Sequence, residues 1–173
     1  MQARKVQNLF DLTGRTALVT GGSRGLGLQM AQALGEAGAK LVISSRKAND
    51  LEQAAAHLRA QGIDVHWIEA DCADEAHIDR LAQQTMAHLG HVDILINNAG
   101  ATWGAPAEDH PTQAWDKVMN LNVRGYFLLS QRMARASMIP RHAGSIINIA
   151  SIAGLAGNPS GMKTGARAAQ SFG

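Results

Sequence analysis

Short apolar runs alternate with amphipathic stretches along most of the chain. The runs are typical of buried β-strands, and the stretches between them carry apolar residues at the spacing of one helix face. The predicted strands are Ala17–Val19, Lys40–Ser44, Val65–Glu69, Ile94–Ile96 and Ser145–Ala150. The predicted helices run from about Gly25 to Gly38, Asn49 to Gln61, Glu75 to Leu89 (capped by Asp74) and Trp115 to Ser137. This alternation predicts an α/β fold with a doubly wound parallel sheet that stops after about the fifth strand.

A glycine-rich turn follows the first strand and reads TGGSRGLG from Thr20 to Gly27. Glycines allow backbone conformations closed to other residues and let the main chain approach a ligand. The helix that comes next offers unpaired N–H groups and its positive dipole end to an anion. The turn therefore predicts a phosphate site, although a sharp turn without a ligand has the same pattern.

The spacing of this turn is similar to the T-G-x-x-x-G-x-G motif of the short-chain dehydrogenase/reductase family. Three further matches are NNAG at Asn97–Gly100, N-x-x-G at Asn122–Gly125, and Ser151 directly after the fifth strand. The resemblance covers about residues 9–164. It implies one NAD(P)-binding Rossmann-like domain over residues 1–173 that lacks the family's C-terminal portion. It also implies hydride transfer between a nicotinamide and a carbonyl or secondary alcohol.

The expected cofactor-binding residues lie where strands end. They are Gly21, Ser23, Arg24, Gly25, Leu26 and Gly27 in the turn, Ser45 and Arg46 after the second strand, Asp71 and Cys72 after the third, and Asn98, Ala99 and Gly100 after the fourth. The resemblance implies that the last two groups line the adenosine side of the cofactor. Asp71 as a simple cap and Cys72 as a small buried apolar side chain remain alternatives.

The residues after the second strand bear on the choice of cofactor. NAD-preferring enzymes place an acid there for the ribose 2′-hydroxyl, whereas an arginine accommodates a 2′-phosphate. Ser45 lacks the acid's charge, and Arg46 and Arg24 could converge on a phosphate. We therefore expect NADP(H) to be preferred over NAD(H), the alternative being that both arginines are solvated surface charges.

The resemblance also implies two catalytic residues. Ser151 would hydrogen-bond the substrate carbonyl, and Asn122 would hold a water in the proton relay, unless its role is structural.

The family's Tyr-x-x-x-Lys should follow Ser151 on the next helix, but residues 152–173 contain no tyrosine. Tyr126 precedes Ser151, and Lys163 has Pro159 four residues before it. Losing a general acid typically costs about 10²–10⁴ in rate.

Three interpretations therefore stay open. The chain is a shortened or altered NADP(H)-dependent oxidoreductase acting on a small carbonyl or alcohol, a non-catalytic NADP(H)-binding module, or an inactive fragment. The GATWGAP loop is similar to that of members acting on sugar acids such as gluconate or on 3-oxoacyl thioesters. Full-length members of the family are expected to form homo-oligomers.

Composition excludes several other classes. The net charge of +2 comes from scattered residues, which argues against a nucleic-acid partner. No apolar run is long enough to span a membrane, and Cys72 alone forms no internal disulfide, so we expect a cytoplasmic protein. The seven histidines offer no convincing metal site. The fifth strand is expected to leave an open apolar edge that carries Ile146, Ile147 and Ile149.

Overall fold

The carboxyl ends of five parallel strands meet along one edge of the molecule. The computed structural model describes residues 9–106 and 108–151. Its strands lie in one sheet in the order β3-β2-β1-β4-β5, and every neighbouring pair is parallel. They are β1 (Thr16–Thr20), β2 (Lys40–Ser45), β3 (Val65–Glu69), β4 (Ile94–Asn97) and β5 (Ser145–Asn148). The predicted parallel sheet is confirmed, and its order reverses between β1 and β4, where open α/β sheets bind ligands.

Helices connect the strands and cover both faces of the sheet. The first three are α1 (Gly25–Glu36), α2 (Ala48–Ala60) and α3 (Glu75–Leu89), close to their predicted bounds. The fourth predicted helix is a longer helical segment, residues 112–141, which we call the long helix. It comprises α4 (Thr112–Met119), a π-helical turn (Asn120–Gly125), α5 (Tyr126–Met133), a second π-helical turn (Ala134–Met138) and α6 (Ile139–Arg141). Among the described residues, no helix has the length and apolar character that crossing a membrane requires.

The sheet separates two apolar cores. Successive residues of a strand point to opposite faces, so strands buried on both faces are apolar throughout. Leu18 and Val42 pack on the face covered by α3 and the long helix. Val19 and Ile43 pack on the opposite face, against residues of α1 and α2.

The long helix holds both ends of β4 through side chains in its two π-helical turns. Asn122 in the first turn accepts a hydrogen bond from the N–H of Ala101 and donates one to its carbonyl, both at 2.9 Å. Ser137 in the second turn makes the same reciprocal pair with Val92, at 2.8 and 3.0 Å. π-Helical turns often mark functional positions, and here each one accompanies a two-bond clamp on the chain flanking β4.

Asp93 joins three strands at the amino ends of the sheet. Its side chain is 6% exposed, and its carboxylate accepts hydrogen bonds from Thr16 N at 3.0 Å and from Arg141 at 2.8 Å. Arg15 lies 3.4 Å from the same carboxylate. The carbonyl of Asp93 accepts a bond from Ser145 N at the start of β5. One residue therefore links the beginnings of β1, β4 and β5, through its carboxylate and its backbone carbonyl.

The surroundings of Asp93 change its acidity. Burial by itself raises the pKa, but the hydrogen bonds from Arg141 and Thr16 and the charges of Arg141 and His91 outweigh it, so the pKa lies below its usual value. A carboxylate whose pKa is depressed on folding stabilises the protein above its unfolded-state pKa. That contribution is lost as the pH falls through the folded-state pKa.

Among the described residues, β5 is the edge strand on one side of the sheet. All four of its residues are exposed, including Ile146 at 40% and Ile147 at 45%. The predicted apolar edge is thus present at these two positions. Ile149 differs, because it is partly buried against the core on the α1 and α2 side.

The replacement Asp93→Asn should lower the free energy of unfolding by about 2–3 kcal/mol at neutral pH, because hydrogen bonds to a charged group are lost. The difference from the unmodified chain should begin to shrink as the pH falls below about 4, the ordinary range of an aspartate, and should disappear only below the depressed folded-state pKa of Asp93. Urea denaturation at several pH values measures this. The control Asp64→Asn removes an exposed partner of Lys40 and should cost less than about 1 kcal/mol. An equal loss for Asp93→Asn at neutral and acid pH would contradict the electrostatic explanation.

Candidate functional site

The glycine-rich turn leaves β1 at the carboxyl edge of the sheet and leads directly into α1. Gly21 and Gly25 have φ angles of 64° and 55°, in the left-handed region that favours glycine. The N–H of Gly22 donates to the carbonyl of Ser44, which joins the turn to the end of β2. The sequence thus folds here as the strand, turn and helix that the pattern predicts.

The helix α1 begins at this edge without a side-chain cap. Its N-cap residue Arg24 is extended, and no side chain accepts a hydrogen bond from the first turn. The first N–H groups of a helix have no intrahelical acceptor, and the positive end of the helix dipole lies with them. This arrangement suits an anionic group such as a phosphate.

Close backbone contacts explain two of the glycines. A Cβ on Gly27 would overlap the carbonyl oxygen of Gly21. A Cβ on Gly21 would come within 2.8 Å of Nδ2 of Asn98. The start of α1 and the loop after β4 therefore meet at van der Waals distance only because these positions carry no side chain.

Side chains of Thr20 and Asn98 bond the loops after β1 and β4 together. The Thr20 hydroxyl accepts hydrogen bonds from the N–H groups of Asn98 and Ala99, at 3.0 and 3.1 Å. The Asn98 amide donates to the carbonyls of Thr20 and Gly21. Asn98 therefore has a structural contribution to the turn that the sequence motif did not specify.

A cleft of about 670 Å³ opens between these loops and the end of β2. Its lining includes every predicted cofactor-binding residue: Gly21, Ser23, Arg24, Gly25, Leu26, Gly27, Ser45, Arg46, Asp71, Cys72, Asn98, Ala99 and Gly100. Sequence reasoning missed five lining residues, namely Ser44, Lys47, Asp50, Ala70 and Leu121. Lys47 and Asp50 follow Arg46 closely in the sequence, at the start of α2. Their nearness to Arg46 was the signal that could have predicted them as lining residues.

The cations at this cleft are exposed and are not engaged by acidic side chains. Arg24, Arg46 and Lys47 line the cleft, and none has an ion pair within the part of the chain that the structure describes. Arg132 of the long helix, by contrast, binds Glu75 and Asp79. The cleft thus offers positive charge that the fold itself does not neutralise.

The wall after β3 is formed by Asp71 and Cys72. Asp71 Oδ1 accepts a hydrogen bond from Ala73 N at 3.0 Å, which supports the turn before α3. The Cys72 thiol is buried, and burial, with a smaller contribution from the Asp71 charge, raises its pKa to about 12. A thiol that stays protonated at neutral pH is a poor nucleophile. The small buried side chain therefore fits Cys72 better than a reactive thiol does.

The long helix packs closely behind this wall. A Cβ on Gly125 would overlap the carbonyl oxygen of Cys72. Asn122, three residues earlier, is bound to Ala101 through both ends of its amide, so it makes a structural contact whatever part it has in catalysis. The N-x-x-G pattern thus brings the helix, the β3 wall and the loop after β4 together.

The structure does not make Tyr126 a substitute for the missing tyrosine. Its hydroxyl lies 3.5 Å from the carbonyl of Ile149, between the long helix and the end of β5. Burial, with a smaller effect of Cys72, raises its pKa to about 12, the opposite of what a proton donor working near neutrality needs. Ser151 is partly buried and follows β5 by three residues. Lys163 and the rest of residues 152–173 lie outside the described residues.

No three histidine, cysteine, aspartate or glutamate side chains come together as a metal site within residues 9–106 and 108–151. His66 and His88 stack with ring centroids 4.1 Å apart, but they lie between β3 and α3, in a groove whose lining residues are not those of the cleft.

Comparisons with known proteins support the same family. The model of the short chain dehydrogenase family matches residues 15–166. The rhamnolipid-biosynthesis 3-oxoacyl-[acyl-carrier-protein] reductase of Pseudomonas aeruginosa is 45% identical over 84% of this chain, and gluconate 5-dehydrogenase of Gluconobacter oxydans is 42% identical over 84%. The chain spans 58% and 56% of the lengths of these relatives.

Two solved structures share the fold. A metagenomic short-chain oxidoreductase in complex with NADP is 34% identical with a TM-score of 0.85, covering 92% of this chain and 72% of its own. An NAD+-bound xylitol dehydrogenase is 30% identical with a TM-score of 0.86, covering 92% and 61%. The motifs, the sheet order and the match over residues 15–166 agree, and the chain belongs to the short-chain dehydrogenase/reductase family.

Proposed function

We propose that the cleft binds NADP(H), and that the chain is part of an oxidoreductase acting on a small carbonyl compound or secondary alcohol. The observation that carries this proposal is the convergence of all thirteen predicted cofactor-binding residues on one cleft. The residues present fit a dinucleotide, because the uncapped start of α1 suits its phosphates and Gly27 lets the turn pack closely against Gly21 and Asn98 in the shape that this site needs.

The preference for NADP(H) rests on charge. Ser45, Arg46 and Lys47 stand together at the end of β2, and Arg24 lines the same cleft. An arginine at this place accommodates a 2′-phosphate, whereas an acid would select the 2′-hydroxyl of NAD(H). One solved relative holds NADP and another NAD+, so the preference is a property to be measured on this chain.

The bound nicotinamide supplies or accepts a hydride at the substrate carbon. In the proposed site, Ser151 hydrogen-bonds the substrate oxygen and holds it toward the cofactor. Asn122 fixes Ala101, the first residue after the NNAG turn, and a water held beside it would belong to the proton relay. No tyrosine follows Ser151 in these 173 residues, so we expect this chain to bind cofactor far better than it turns over substrate.

A second candidate follows from that absence. A cleft that binds the cofactor but lacks a catalytic tyrosine is what a non-catalytic NADP(H)-binding module would have.

If the whole protein is an enzyme, we expect its substrates to be sugar acids or 3-oxoacyl thioesters. These are the classes of compound that the names of the two relatives give for them.

The replacement Arg46→Asp should weaken NADPH binding by about tenfold or more while changing NADH binding much less, because an acid would face the 2′-phosphate. Fluorescence titration of the purified chain with each nucleotide measures this. The control Arg135→Asp makes the same charge change on an exposed residue of the long helix and should leave the ratio of the two affinities unaltered. Equal losses for both nucleotides would reject the assignment of Arg46.

The replacement Gly27→Ala should abolish measurable binding of both nucleotides, because the new methyl group forces the turn away from Asn98. Gly62→Ala is the matched control. It adds a methyl group at a φ of 79° with nothing within 4 Å and should lower stability by about 1 kcal/mol without weakening binding. If Gly27→Ala folds and binds NADPH as the unmodified chain does, the cleft is not the cofactor site.

The unmodified chain should show little or no NADPH oxidation with a panel of keto sugar acids and 3-oxoacyl thioesters, since a missing general acid costs about 10²–10⁴ in rate. The near-ultraviolet absorbance of NADPH reports the reaction. Rapid turnover that Ser151→Ala abolishes would show that another group donates the proton.

A further inference from the structure

Two acids line the cleft together with its three cations. Asp71 uses its carboxylate to support the turn before α3. Asp50 is half-buried in the first turn of α2, four residues after Arg46, and within the described chain its carboxylate has neither a hydrogen bond nor an ion pair. Asp50 therefore lines a cleft whose other unpaired charges, on Arg24, Arg46 and Lys47, are all positive.

Helix stability explains part of this placement. An acid in the first turn interacts favourably with the helix dipole, and Lys47 at the N-cap provides no side-chain cap. The same negative charge, however, repels any phosphate brought to Arg46 and Lys47, which share the wall with it. An acid outside the cleft would avoid that repulsion, as Glu52 on the same helix does.

We infer that Asp50 is a specificity-determining residue that weakens the discrimination between NADP(H) and NAD(H) set up by Arg46, Lys47 and Arg24. This inference rests on the proposed cofactor site. The carboxylate opposes the 2′-phosphate through charge and leaves a 2′-hydroxyl almost unaffected, because a neutral group carries no net charge to repel. Because Asp50 weakens the binding of NADP(H) alone, NAD(H) competes for the cleft better than it would if the arginines acted without this acid.

Solvent and salt screen the repulsion between Asp50 and the 2′-phosphate, and this limits the size of the effect. Charges separated by several ångströms at a solvent-exposed cleft interact through a high effective dielectric, and the Debye length at physiological salt is about 8 Å. We therefore expect a change of about twofold to tenfold in affinity, larger at low ionic strength than at high. A purely structural role of Asp50 in α2 would change both nucleotides alike and would not depend on salt in this way.

The test is the variant Asp50→Asn in the full 173-residue chain, titrated separately with NADPH and NADH at low and at high salt. The Kd for NADPH should fall by about twofold to tenfold at low salt, and that for NADH should change by less than about twofold. At about 1 M salt the gain for NADPH should largely disappear. Asp50→Ser removes the same charge with a different side chain and must shift the ratio in the same direction.

The control Glu52→Gln removes an exposed acid from the same helix but outside the cleft, so its ratio of affinities should match that of the unmodified chain. An unchanged ratio in Asp50→Asn and Asp50→Ser, while the unmodified chain still prefers NADPH, would overturn this inference and leave the cofactor site standing. Failure of the unmodified chain to bind either nucleotide would instead overturn the proposed function, and this inference with it.

Discussion

The loops that follow β1 and β4 are bonded to each other, and the cleft depends on that junction. The Thr20 hydroxyl accepts two backbone N–H groups from the β4 loop, and the Asn98 amide reaches back to two carbonyls of the β1 loop. These bonds satisfy backbone groups that would otherwise be left unpaired where two strands end. They also bring Gly21 and Gly27 so close to Asn98 that neither position has room for a side chain. The shape of the phosphate-binding turn is thus set from the neighbouring strand as much as from its own sequence.

The long helix supports this junction from behind. Asn122 and Ser137 hold the chain on either side of β4 with paired hydrogen bonds, and both lie in π-helical turns. Gly125 lets the same helix rest on the carbonyl of Cys72. The wall after β3 and the loop after β4 are therefore positioned by one helix. Asparagine and glycine are poor residues for a helix interior, and these contacts give a physical reason for their presence.

Charged residues divide into two sets with different tasks. Asp93 with its cationic partners joins the amino ends of three strands, and Arg132 binds two acids of α3. The cations at the carboxyl edge have no such partners among the described residues, so their charge is available to an anion. The Asp93 cluster thus organises the amino ends of the strands, whereas the cations without acidic partners lie at the carboxyl ends, where a ligand can reach them. Asp50 is the exception, because it lies among the second set.

The sequence by itself determined the order of strands and helices along the chain, the glycine-rich turn and thirteen of the eighteen residues that line the cleft, because periodicity and short motifs are local properties. It also showed that no tyrosine follows Ser151. Only the tertiary structure revealed the clamps made by Asn122 and Ser137, the burial of Tyr126, and the presence of Asp50 in the cleft. Each of these depends on contacts between segments distant along the chain, which are decided by how helices pack on the sheet. A local sequence pattern carries no information about such contacts.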